Sequence, residues 1–244
     1  MSVKTFKRYE YKYLLTQQQY KNVVEGIMPY VKVDPYCTDG RKYSLYNVYY
    51  DCEQYDVVRH SVSKPYFKEK LRLRSYYPQP SDDDDVFVEL KKKCNGCVNK
   101  RRAVMKYKGA LSFIETGKAD KNGEFIHDQI VKEIECYIKK YPVFHKTYIS
   151  YEREAYFVKD DKNIRITFDS NLRAGTESFS QTDNVLLIDE DMRIMEIKLS
   201  HYMPLWLSKL LCENKIFRQG FSKYGTYYKN HILPERIKLN ANIL

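Results

Sequence analysis

The residues best suited to chemistry are charged ones that alternate with apolar neighbours. In Met195-Glu196-Ile197-Lys198-Leu199, a carboxylate and an ammonium share one face of an extended segment. Their Cβ atoms lie roughly 7 Å apart at about 3.3 Å rise per residue. In residues 66–77, Lys68, Lys70, Arg72 and Arg74 fall on one face, with Phe67, Leu71 and Leu73 on the other. Cations directly facing one another repel by about 0.2–1 kcal/mol. An anion lying along the row accounts for its persistence; an edge strand guarded by lysine against aggregation is the competing account. Further along, Arg153 shares a face with Tyr151, and Arg165 with Thr167 and Asp169, while Ser222-Lys223 pairs a hydroxyl with a cation. Such groups bind phosphate: guanidinium forks match phosphate oxygens, and ammonium adds point charge.

The totals agree. The 244 residues carry 42 Lys+Arg against 32 Asp+Glu, a formal charge of +10 that favours a polyanionic partner. Nucleic acid, an acidic membrane or a phosphate compound all satisfy that balance. No apolar run reaches the roughly 20 residues of a membrane helix, and Met1-Ser2-Val3-Lys4 begins no secretory signal, so a cytoplasmic protein is expected. No GxxxxGK[ST], GxGxxG or HExxH motif occurs, and His60, His127, His145, His201 and His231 lack ligand spacing. Cys94 and Cys97 bracket Asn95-Gly96, the preferred two-residue hairpin turn. With no second CxxC, a hairpin is expected there, not a zinc site. The aspartate run 82–85 reads as a solvated loop tip.

The elements that must position these groups are mostly strands: 6–15, 44–51, 66–77, 85–93, 97–106, 147–158, 163–172, 185–189 and 193–199. Thr16 with Gln19 forms a capping box for a helix to about Met28. Residues 109–140 form a helical middle in which Ile126, Ile130, Ile134 and Ile138 supply the packing face. Another helix spans 204–217, residues 60–65 are loop, and a polar tail follows Tyr224. About eight alternating strands can close into a barrel. The predominantly cationic polar faces point inward, and helices cover the apolar exterior. The expected fold is therefore α+β: a closed antiparallel eight-stranded β-barrel forming a tunnel, in a single domain over 1–244 with its core at about 6–228.

Five segments in order carry a family resemblance: Arg72-Leu73-Arg74, Val86-Phe87-Val88-Glu89-x-Lys91, Tyr151-Glu152-Arg153-x-Ala155-Tyr156, Arg165-Ile166-Thr167-Phe168-Asp169-x-Asn171-Leu172 and Glu196-Ile197-Lys198. From about Phe6 to Tyr224 the chain resembles the catalytic domain of vacuolar transporter chaperone (VTC) polyphosphate polymerases, within the triphosphate tunnel metalloenzyme (CYTH-like) superfamily. The resemblance implies phosphate ligands at Lys12, Arg72, Arg74, Lys91, Tyr151, Arg153, Arg165, Lys198, Ser222 and Lys223. Of these, Arg72, Arg74, Lys198 and Lys223 are the expected catalytic groups. It also implies a divalent metal, Mn²⁺ or Mg²⁺, on Glu196 with Glu10 and Glu89 as further candidates. Hydrolytic and cyclase members carry ExExK near the N-terminus; here Arg8-Tyr9-Glu10-Tyr11-Lys12 puts arginine in the first glutamate's place. That departure favours transfer of the γ-phosphate of ATP to polyphosphate over triphosphate hydrolysis. The implied partners are ATP or triphosphate and inorganic polyphosphate, without specific nucleic acid. Any membrane coupling is expected from a separate partner chain. A non-catalytic polyanion binder is the alternative from another class, and no segment reads as a base-recognition pocket.

Overall fold

The Asn-Gly signal is the simplest place to see sequence become structure. In the computed structural model, which describes residues 9–40, 42–119, 123–161, 163–178, 184–200 and 202–241, Asn95 and Gly96 adopt φ of 44° and 80°. That left-handed pair is what a tight hairpin requires. It joins β5 (Asp85–Cys94) to β6 (Cys97–Lys106), with Cys94 opposite Cys97. The other strands are β1 (Tyr9–Leu15), β2 (Val31–Val33), β3 (Tyr43–Asp51), β4 (Phe67–Ser75), β7 (Phe144–Val158), β8 (Arg165–Gly175), β9 (Val185–Leu186) and β10 (Arg193–Leu199). All pair antiparallel in one sheet of order β1-β10-β8-β7-β3-β4-β5-β6, with β2 on β7 and β9 on β8.

The expected closed eight-stranded barrel is not what forms. The sheet has ten strands, and among the described residues no ladder joins β1 to β6. The α+β class holds. Side chains reach across instead: Lys91 Nζ of β5, the strand next to the edge strand β6, lies 2.5 Å from Glu10 Oε2 of the opposite edge strand β1. The sheet is thus curled, its charged face concave, with this ion pair spanning the concavity. Alternation specifies which side chains share a face, but closure depends on strand number, tilt and stagger, which alternation does not encode.

Helices cover the convex, apolar side. Helix α1 (Gln17–Ile27) starts at the expected capping box, Thr16 Oγ1 accepting from the Gln19 amide at 3.2 Å and Gln19 Oε1 from the Thr16 amide at 3.1 Å. With α5 (Leu205–Glu213) it packs on Leu15, Ile166, Phe168, Met195 and Ile197. Helices α3 (Tyr107–Thr116) and α4 (Phe125–Lys140) cover Leu71, Leu73, Val86, Val88 and Leu90. Each such buried side chain is worth about 1.5–3 kcal/mol. Three of the four stripe isoleucines of α4 pack there, Ile134 buried and Ile130 and Ile138 partly buried, with Val131 and Tyr137 beside them, while Ile126 is exposed. No helix among the described residues is long and apolar enough to cross a membrane.

Three further helices depart from expectation. Helix α2 (Asp56–Val62) replaces most of the loop start, and α6 (Lys223–Tyr227), a π-helical turn (Tyr228–Ile232) and α7 (Leu233–Ala241) replace the polar tail. Tyr224, Tyr227, Tyr228 and Ile232 pack with Leu45, Ile149, Leu172 and Ile194. Leu45 and Ile194 stand two residues along their strands from Asn47 and Glu196. The C-terminal segment therefore fills an apolar portion of the same concave face and leaves the charged portion beside it.

Candidate functional site

Register assembles the site in rows across the sheet. Tyr49, Arg72, Glu89 and Arg102 face one another in succession on β3, β4, β5 and β6. Lys70, Lys91 and Lys100 form the next row. On the other side, Glu10, Lys198 and Arg165 align across β1, β10 and β8, and Lys12, Glu196 and Thr167 lie beside them. Asp169 on β8 faces Arg153 on β7, which faces Tyr43 on β3.

Three carboxylates organise the cations. Glu89 is fully buried, with Lys100 Nζ, Arg72 Nε and Arg102 Nε at 2.5, 2.6 and 2.7 Å. Asp169, also fully buried, accepts both arms of Arg153 (2.6 and 2.8 Å) and Lys223 Nζ (2.6 Å). Glu196 lies 3.0 Å from Lys198 Nζ and 3.5 Å from Lys12 Nζ. Arg74 donates to Asn47 Oδ1 and to Tyr151 Oη, each at 2.9 Å, and Lys223 Nζ sits 4.2 Å from the Tyr151 ring centre. Lys70 Nζ donates to Ser222 Oγ at 3.0 Å.

Burial and neighbours set the charges. Burial alone would raise the carboxyls of Glu89 and Glu196. Arg72, Arg74, Lys100 and Arg102 outweigh it at Glu89, and Lys198, Lys12 and Lys91 at Glu196, so both stay well below the usual range. Burial likewise opposes ionisation of the Tyr151 phenol, yet Arg74, Arg153 and Lys223 bring it down to about 8. Lys70 is lowered to about 7 by burial, then by Lys68, Lys12 and Lys91. Burial, assisted by the nearby arginines, lowers Lys100 to about 6 in spite of Glu89. Cations outnumber carboxylates on this face, and some are already strained toward neutrality. A polyanion entering here meets excess positive potential in a partly desolvated setting, where ion pairing is strong.

Asp169 yields a pH prediction. Burial raises its carboxyl, Arg153 and Lys223 more than reverse this, and it is held at about 2 against an ordinary 3.8. A carboxyl lowered on folding contributes stability above the unfolded value and loses it as pH falls through the folded one. The contribution, about 2 kcal/mol from that difference, should vanish between about pH 4 and pH 2. Urea unfolding of wild type at pH 5 and pH 2.5 should show this loss, and Asp169→Asn should lack that part of it.

Every proposed phosphate residue lies among the described residues. Lys12, Arg72, Arg74, Lys91, Tyr151, Arg153 and Lys198, with Ser222 and Lys223 from the C-terminal segment, come together on the concave face. Arg165 stands toward its rim, bonded to Asp34 Oδ2 (2.6 Å) and Tyr43 Oη (3.2 Å). Arg8 and His201 lie outside the described residues. Lys70 stood in the cationic row expected to lie along an anion, though not among the ligands the resemblance implied; Asp169, Lys100 and Arg102 were passed over as site residues, although alternation had put Asp169 on a polar face. It also missed Asp51, for which no local signal exists. Asp51 accepts from the amides of Cys52, Val57 and Val58 (2.8–2.9 Å) and from Tyr224 Oη (2.8 Å). It thereby fixes α2 and, through Tyr224, the adjoining Ser222-Lys223.

Metal donors are sparse. Among the described residues no three His, Cys, Asp or Glu side chains gather. Glu196 and Glu10 are near enough that Glu196 raises the Glu10 carboxyl, second only to burial; Lys91, Lys198 and Lys12 bring it below its usual value. One or two carboxylates completed by phosphate oxygens are a normal donor set for Mg²⁺, and this pair fits it. Both oxygens of Glu89 are held by Lys100, Arg72 and Arg102 at 2.5–2.7 Å. Those of Glu196 are held less closely, by Lys198 at 3.0 Å and Lys12 at 3.5 Å, and Glu10 Oε2 pairs with Lys91, so a metal at this pair would displace lysines.

A family model described as the VTC domain matches residues 7–231. Two solved structures are similar, both of adenylate cyclase candidates. One, from Bacillus halodurans, is 12% identical, covering 89% of this chain and 94% of its own, with a TM-score of 0.50. The other, from Vibrio parahaemolyticus, is 10% identical, covering 91% and 97%, with a TM-score of 0.47. The likeness to the first is one of fold. No curated protein matches.

Proposed function

Since the chain belongs to the VTC domain family, we propose that it is a polyphosphate polymerase that transfers the γ-phosphoryl group of ATP to a polyphosphate chain. The observation that carries the reading is the concave face on which the cations of seven strands and of the Ser222-Lys223 segment converge. In the reaction, a terminal oxygen of the polyphosphate attacks the γ-phosphorus. The bond from that phosphorus to the β–γ bridging oxygen breaks, and ADP leaves with the electron pair. Atoms and charge balance without an added base, because the attacking oxygen is already anionic. Positioning and charge neutralisation are then the main tasks left to the protein.

Arg72 and Arg74 grip phosphate oxygens from β4, and Lys12, Lys91, Arg153 and Arg165 line the path of the chain. Tyr151 donates a hydrogen bond to a phosphate oxygen. Lys198 and Lys223 stand at the transferring group, with Ser222 contributing its hydroxyl. Entry of phosphate replaces carboxylate partners: Lys223 turns from Asp169, and Lys12 and Lys198 from Glu196. Glu196, with Glu10 beside it, would hold Mg²⁺ or Mn²⁺, which when bound offsets negative charge on the β- and γ-phosphate oxygens. Glu89 serves as a counter-ion that orients Arg72 and Arg102.

Replacing Arg72 and Arg74 together by alanine should weaken tripolyphosphate binding at least about a hundredfold, since hydrogen bonds to charged groups contribute about 1.5–3 kcal/mol each. Adenosine binding should hardly change. Calorimetric titration with both ligands checks this; equal losses would make the arginine row structural.

A further inference from the structure

We propose that the aromatic cluster Tyr36, Tyr43, Tyr76 and Phe87 is a stacking platform for the base of a nucleoside triphosphate. The inference rests on the triphosphate-binding reading above and adds how the other end of the substrate is held.

The cluster is continuous with the cationic face. Tyr43 is the cross-strand neighbour of Arg153, and its hydroxyl accepts from Arg165 at 3.2 Å. Phe87 is the cross-strand neighbour of Arg74, and the Arg102 guanidinium lies 4.5 Å from its ring centre. Tyr76 lies two residues beyond Arg74 and makes edge contacts with Phe87 (5.7 Å between ring centres) and Tyr43 (6.1 Å). Tyr36 completes the group, its ring within 9° of parallel to Tyr76 with centres 6.3 Å apart.

The outer rings are bare. Tyr36 is 74% exposed and Tyr76 38% exposed. What sets these rings apart from other exposed aromatics is that they contact one another and adjoin the arginines of the cationic face. Nor is Tyr36 on a loose loop. It follows Pro35 in a 3₁₀ turn, and its amide donates to Asp34 Oδ1 at 3.0 Å. The other oxygen of the buried Asp34 takes Arg165 at 2.6 Å. One carboxylate thus ties the backbone that carries the exposed ring to a cation of the phosphate face.

The ligand class follows from this pairing of chemistries. A flat π system joined to a phosphate chain is a nucleotide; inorganic polyphosphate has nothing to place on the rings. Stacking accepts any base, because every base has a π face. The platform should therefore hold nucleoside triphosphates without discriminating sharply among them.

The test is calorimetric titration of the full chain with ATP and with tripolyphosphate in Mg²⁺. Replacing Tyr36 and Tyr76 together by alanine should weaken ATP binding about tenfold, within the range of base–aromatic stacking, and change tripolyphosphate binding less than twofold. Replacing both by phenylalanine should keep ATP binding at the wild-type level, since rings and not hydroxyls are used. An alanine variant that binds ATP as well as wild type, or loses both ligands alike, overturns the platform and leaves the phosphate face standing. A wild-type chain that binds neither ligand overturns the triphosphate reading, and the platform with it.

Discussion

Glu89→Ala should destabilise the protein by about 3–5 kcal/mol, the usual consequence of removing one partner from a buried ionic group. Glu89 is completely buried, and three guanidinium cations depend on it: Arg72 and Arg102 within 2.7 Å, and Arg74 at 3.9 Å. Without it, they repel one another on the concave face of β4, β5 and β6. Urea denaturation should show the midpoint falling with little change in slope. The same variant carries a sharper signature. Tripolyphosphate can replace the lost counter-charge, and a ligand that binds only the folded state raises stability by RT ln(1 + [L]/Kd). Tripolyphosphate at a hundred times its dissociation constant should therefore restore about 2.7 kcal/mol. A variant as stable as wild type would mean that the cations are solvated and the face is not a charged enclosure.

Lys223→Ala should lower kcat by about 10²–10³, the effect of deleting one donor to developing transition-state charge. A loss of stability should accompany it. Lys223 is not a solvated lysine in a fraying tail: it is 8% exposed, 2.6 Å from Asp169 Oδ2 and close over the Tyr151 ring. Asp169 keeps its two bonds from Arg153 in the variant, so the loss of stability should stay near 1–3 kcal/mol. Lys223→Arg should retain the fold and part of the turnover. Equal kcat in wild type and Lys223→Ala would remove this residue from the chemistry.

Much of the site was legible because β-strands display their faces at period two. Arg72, Arg74, Glu89, Lys91, Glu196 and Lys198 could be put on polar faces one strand at a time, and register then set those faces side by side. The Asn95-Gly96 hairpin and the Thr16 capping box were equally local, each fixed by a few adjacent residues. What escaped depends on distant contacts. Helix α2 is short, holds two adjacent valines and begins after Tyr55 at φ 62°; it is anchored by Asp51 from the preceding strand. Helix α6 looks like polar tail until Tyr224 and Tyr227 find the apolar portion of the concave face. Gly225 lets the turn pack closely there: a Cβ would meet Ser222 and Val62 at 3.2 Å, tight enough that they would have to give way. The insertion of β10 between β1 and β8, and the failure of β1 and β6 to pair, belong to the whole sheet. The pairing of Asp169 with both Arg153 and Lys223 likewise needs two segments that are remote in sequence.

The most direct measurement follows all products from the purified chain supplied with ATP and Mg²⁺ or Mn²⁺. Polyphosphate is resolved by electrophoresis, and ADP and free phosphate are quantified in the same reaction. A polyphosphate polymerase gives lengthening polyphosphate, with ADP equal to the phosphate units incorporated and little free phosphate. ADP matched by free phosphate, with no polymer formed under either metal, would contradict the account and make the concave face that of a triphosphatase.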